Sequence, residues 1–143
     1  MTTHLGHKNW LIVSALAIAA FGPVFALAAA GHPGLARWTM EFLNGPGGDA
    51  EPFTDGTARF VSALTGGFLL GWGAMVLALR QWVYDLAPEG VRRSLLASAA
   101  AWFTLDSPGS IASGNAWNVS INIAVLLLVI GPMWRPAHEG ARG

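Results

Sequence analysis

Four long apolar runs separated by short polar segments set the frame of the chain. They cover about residues 10–30, 57–84, 89–106 and 116–134. A helix needs roughly 20 apolar residues to cross the hydrocarbon of a bilayer, and each run approaches that length. The pattern predicts four helices and one interrupted loop. Pro23, inside the first run, removes a backbone N–H and predicts a kink or a break there. Ala28-Ala29-Ala30 has the small residues of a leader cleavage site. The run is longer than the roughly 7–15 residues of a leader core, so a retained span is expected.

Residues 31–56 form the loop, where Pro33, Pro46, Pro52 and several glycines prevent continuous helix. Leu35, Trp38 and Phe42 nonetheless fall at helical spacing and predict a short helix lying in the interface. Gly45-Pro46-Gly47-Gly48 should end it. Asp49, Glu51 and Asp55 follow without the ligand spacing of a hard-metal loop, so they read as solvated charge and no metal is assigned. Thr54 or Asp55 should cap the second long helix, and Pro88 suits the first turn of the third. Asp106-Ser107-Pro108-Gly109-Ser110 reads as a turn with serine caps, joining the third helix to the fourth.

Composition moves the reading firmly towards a bilayer. Of 143 residues, 53% are hydrophobic and only 11% charged, against roughly a quarter charged in average soluble domains. The net charge is zero, so nothing points to nucleic acid. The chain has no cysteine, which excludes disulfides, thiol catalysis, iron–sulfur clusters and thiolate metal sites.

Charge also orients the four predicted spans. One side carries Lys8, Arg80, Arg92, Arg93, Arg135 and Arg142, and the other only Arg37 and Arg59. The positive-inside rule then puts both termini in the cytoplasm. Trp10, Trp82 and Trp134 fall at that interface, and Trp38 and Trp117 at the outer one.

Two groups of residues stand out within the spans. Gly66, Gly67, Gly71 and Gly73 make a small surface on the second helix, with Gly67 and Gly71 in a GxxxG step that favours close helix packing. Arg59, Trp72, Asp106, Asn118 and Asn122 are the polar candidates. Intramembrane polar groups are functional candidates by default. An Arg59–Asp106 ion pair above a pocket lined by Trp72 and the two amides is one arrangement. The competing reading makes the amides and serines interhelical glue.

Several chemistries fail on residue type. His4, His7, His32 and His138 lie outside the apolar cores, against intramembrane bis-histidine haem. Lys8 is the only lysine, which excludes a retinal Schiff base within a span. The first span has no acid for proton-coupled drug export. Ser107 and Ser110 have no base near them in sequence.

Asp55-Gly56-Thr57-Ala58-Arg59-Phe60, Thr65-Gly66-Gly67, Gly71-Trp72-Gly73, Leu79-Arg80 and the Asp106–Gly114 segment together resemble small bacterial four-helix membrane proteins of the DoxX-like group. The resemblance spans the four helices in order. It implies a four-helix fold in a bacterial inner membrane and carries no catalytic residue with it.

The expected fold is therefore all-α, a four-helix integral membrane bundle in one domain with both termini cytoplasmic. The leading functional expectation is a non-enzymatic accessory or assembly subunit of the bacterial inner membrane, packing against another membrane protein or a second copy. The alternatives are a binder or carrier of a small amphiphile, such as a lipid or quinone, and a membrane enzyme using Asp106 as acid or base. No catalytic residue and no resident cofactor is assigned; membrane lipids are expected partners.

Overall fold

The computed structural model describes residues 3–48 and 53–137. Asp49, Glu51, His138 and Arg142 lie outside them. The described chain is all-helical, with five helices and no strand. They are α1 (His4–Ala29), α2 (Gly34–Asn44), α3 (Gly56–Val83), α4 (Pro88–Ala112) and α5 (Asn118–Trp134). Of these, α1 and α3 are long and apolar enough to cross a membrane.

Local chemistry sets most boundaries. Thr3 caps α1 by accepting from the Gly6 N–H at 3.1 Å, so the helix starts well before the apolar run. The helix is interrupted at Ala20. Pro23 cannot donate to the Ala19 carbonyl four residues back, and its ring crowds that oxygen. Asp55 caps α3 as expected, accepting from the Thr57 and Ala58 N–H groups at 2.8 and 2.9 Å. Gly45, with φ of +86°, ends α2, a conformation that L side chains rarely adopt. The last turn of α3, Leu79–Val83, widens to π geometry, and α5 tightens to a 3₁₀ turn from Gly131.

One boundary departs from the sequence expectation. The predicted turn at Asp106–Ser110 is helix, and α4 runs through Pro108 to Ala112. Pro108 is exposed, so the Thr104 carbonyl it deprives of a donor lies on the outer side of the helix. The serine hydroxyls bond back along the helix: Ser110 Oγ donates to the Asp106 carbonyl at 2.8 Å, and Ser113 Oγ to the Ser110 carbonyl at 3.0 Å.

The packing centres on α1, which lies against α2, α3 and α5, while α4 lies along α5. Leu11, Ala15 and Ile18 of α1 meet Val76 of α3, Val91, Leu95 and Ala99 of α4, and Val129 and Met133 of α5 in the main core. A smaller cluster holds α2 down through Ala36 against Phe25 and Ala28. The α1–α3 contact is glycine-mediated. A Cβ on Gly66 would stand 2.7 Å from the Gly22 carbonyl, and one on Gly73 2.7 Å from the Ala15 carbonyl. The backbones approach closely enough for dispersion and Cα–H contacts to hold them.

At the end where α1 begins and α5 finishes, several polar bonds tie the helices. Ser14 Oγ donates to the Val129 carbonyl at 2.6 Å and Trp10 Nε1 to the Leu128 carbonyl at 2.9 Å. Tyr84 Oη donates to the His4 carbonyl at 3.1 Å. His7 is buried there as well, hydrogen-bonded to the Pro132 carbonyl.

Candidate functional site

Helix continuity through Pro108 puts Asp106, Ser107 and Ser110 on α4 opposite Asn118 and Asn122 of α5. The two asparagines are four residues apart and share a face. Asp106 Oδ2 accepts from Asn122 Nδ2 at 2.6 Å and from Asn118 Nδ2 at 3.3 Å. Asn122 Nδ2 also donates to Ser107 Oγ at 3.1 Å, and Asn118 Nδ2 to Ser110 Oγ at 2.9 Å. Asn122 and Ser107 are buried, and Asp106 is half-buried. The carboxylate thus meets amide donors across the helix pair, and the hydroxyls are engaged as well.

Arg59 does not join this cluster. The expected Arg59–Asp106 ion pair is absent among the described residues. Arg59 Nε instead donates to the Ala29 carbonyl at 2.9 Å. That carbonyl belongs to the last turn of α1, where oxygens lack intrahelical partners and a cation is favoured. The acid is satisfied by amides one helix away, so neither residue needs the other.

Trp72 stands elsewhere again. The backbones of α3 and α4 meet near their connecting turn and then diverge. Trp72 and Trp102 reach across the gap, with ring centroids 6.4 Å apart at an angle of 51°. Beside them opens a groove of about 620 Å³, lined by Gly67, Phe68, Gly71, Trp72, Ser98 and Trp102 among others. The lining is almost entirely apolar. Trp72 Nε1 is buried without an acceptor, and Asn118 Oδ1 is the other buried side-chain polar atom without a partner among the described residues.

The glycine surface divides in two. Gly66 and Gly73 face α1, whereas a Cβ on Gly67 or Gly71 would meet nothing within 4 Å. The GxxxG step itself therefore lies on the open groove, and the internal contact uses glycines seven apart. Trp102 and Ser98 did not stand out in the sequence. Their signal is helical spacing: Ser98, Trp102 and Asp106 succeed one another by four along α4.

Among the described residues no three His, Cys, Asp or Glu side chains gather where a metal ion could be held. Polar groups that bond one another between α4 and α5, and an apolar groove between α3 and α4, are what the arrangement offers chemically. No family model, no curated protein and no solved structure matches the chain.

Proposed function

We propose that the chain is a small multi-pass protein of the bacterial inner membrane, a four-helix bundle of α1, α3, α4 and α5 with α2 in the outer interface. In this reading it works as a non-enzymatic accessory subunit that receives a transmembrane helix of another polypeptide along α3 and α4. The membrane part is supported by the large apolar side chains exposed on α1 and α3, including Ile12, Leu16, Phe60, Leu64, Phe68 and Met75. The loose likeness to DoxX-like proteins belongs to the same proposal.

The observation that carries the accessory role is the groove. Its walls offer Gly67 and Gly71 on one side and Ser98 and Ala101 on the other. Small residues let a helix approach in a bilayer, where apolar burial alone drives nothing. The outward side of α4 agrees: none of its large apolar side chains before Leu105 is exposed. Gly90, Ser94, Ala97, Ala101 and Thr104 are exposed there instead, at alternating spacings of four and three. Lipid-facing helices present bulk, and seams between helices present small residues at this period.

A second reading, the amphiphile binder, is favoured by one feature. An unpaired indole N–H costs about 1–3 kcal/mol when buried. Trp72 Nε1 would be relieved by a carbonyl brought on a quinone or acyl chain. The polar cluster on Asp106 is a poorer candidate, because its amides and hydroxyls already bond one another.

Native mass spectrometry of the gently extracted chain tests both readings. The expected result is a complex with a second polypeptide that Gly67→Leu and Gly71→Leu dissociate while the chain stays folded. A monomer retaining a small molecule that the same substitutions expel would replace the first reading by the second.

A further inference from the structure

The end of the molecule formed by the start of α1, the α3–α4 turn and the finish of α5 is strongly basic. Lys8, Arg80, Arg92, Arg93 and Arg135 converge there, with Asp85 and Glu89 as the carboxylates among the described residues. Their pairing leaves positive charge over. Lys8 takes Asp85 at 2.5 Å. Glu89 is shared: Arg92 holds both its oxygens at 2.7 Å, and Arg93 Nε donates to it at 2.8 Å. Arg80 is bonded to the Lys8 carbonyl, a neutral group. Arg135 lies over the Trp134 ring, 4.0 Å from its centroid. Arg93 remains 76% exposed.

Large apolar side chains stand among these cations. Leu5, Trp82, Leu86 and Trp134 are all exposed, Leu86 to 85%. An acidic protein surface would offer them no apolar layer. A phospholipid leaflet offers both, with phosphate oxygens at the depth of the guanidinium groups and acyl chains just beneath. The opposite end lacks this excess, since Arg37 is paired with Glu41, and Arg59 is outnumbered there by the carboxylates Asp55 and Asp106.

We infer that this end is a binding surface for anionic phospholipid, with Arg80, Arg93 and Arg135 contacting the headgroup phosphate. The inference rests on the membrane reading above and adds the lipid class to it. Arginine suits the task because its planar fork can meet a phosphate with two parallel hydrogen bonds. Each basic residue near a negatively charged leaflet contributes on the order of fivefold in affinity, and salt screens the effect.

The test places the full chain in vesicles of brominated phosphatidylglycerol mixed with phosphatidylcholine, and in the converse mixture. Quenching of the seven tryptophans reads which lipid surrounds the chain, and its change on substituting arginines of this end isolates the share from Trp82 and Trp134. The expected result is a several-fold preference for phosphatidylglycerol that falls in high salt. Arg93→Gln and Arg135→Gln should each lower it by roughly fivefold. Arg93→Lys should keep most of it, and Arg37→Gln at the far end should leave it unchanged. Equal quenching by both lipids, or an equal loss in Arg37→Gln, would overturn the inference while leaving the membrane reading intact. Quenching by neither lipid would overturn the membrane reading, and this inference with it.

Discussion

A carboxylate held between helices is costly unless donors replace the water it has lost. Asp106 has two such donors, and they are unequal. Asn122 is buried and bonds at 2.6 Å, whereas Asn118 is half-buried and bonds at 3.3 Å. Asn122→Ala should therefore destabilise the chain by about 1–2 kcal/mol, the upper part of the range for interhelical hydrogen bonds in membranes. Asn118→Ala should cost less. Asp106→Ala combined with Asn122→Ala should fall short of the sum of the single effects, because both remove one contact. Asp106→Asn combined with Arg59→Gln should simply add, since Arg59 serves the Ala29 carbonyl. Thermal midpoints in one detergent measure all four comparisons. Coupling between Asp106 and Arg59 would show that the two meet after all.

At the scale of elements, α3 presents two glycine faces with opposite expected responses to a methyl group. On Gly73 the added Cβ would lie 2.6 Å from the Ala19 Cβ and 2.7 Å from the Ala15 carbonyl, so α1 must move away. Gly73→Ala should cost about 1–3 kcal/mol, the usual penalty of overpacking. Gly67→Ala meets open space and gains helix propensity, so the isolated chain should be unchanged or stabilised by up to about 1 kcal/mol. Denaturation of the two variants side by side decides it, and equal losses would mean that both faces are packed. The sequence singles out the glycines of α3 as a group but does not apportion them between its faces. The GxxxG step is a local pattern, and which of two adjacent faces meets α1 depends on where Ala15, Ala19 and Gly22 lie. Pro108 misled for a related reason. Proline inside a helix costs about 3 kcal/mol in isolation, so a turn was the better local reading. The bonds from Asn118 and Asn122 to Asp106, Ser107 and Ser110 are tertiary and favour the continued helix. The Asp55 cap, the Pro23 break and the short helix ended by Gly45 were all legible, because each is decided by residues within one or two turns.

At the scale of the whole molecule, the proposed orientation makes a demand that the absence of cysteine renders easy to check. The start of α1, the α3–α4 turn and the finish of α5 share one end, tied by Lys8–Asp85, Tyr84–His4 and Arg92–Met133 contacts. The cap of α3 and the link between α4 and α5 lie at the other. Under the proposed membrane reading, the basic excess would put the first end in the cytoplasm. Single cysteines can be introduced into a chain that has none, at exposed positions on each end: Leu86 on the first, Thr54 and Ser113 on the second. In intact bacterial cells a membrane-impermeant maleimide should label Thr54→Cys and Ser113→Cys, and Leu86→Cys only after the membrane is broken. Labelling of Leu86→Cys alone would invert the orientation and put the basic end outside, where positive charge is ordinarily depleted. Labelling of Thr54→Cys without Ser113→Cys would separate two positions that share one end of the molecule, and would mean that α4 does not cross. That crossing is the step most worth testing, because α4 carries exposed apolar bulk only at Leu105 and Ile111, near one end, and in the proposed membrane reading it depends on α5, and on whatever covers its small face, to remain in the bilayer.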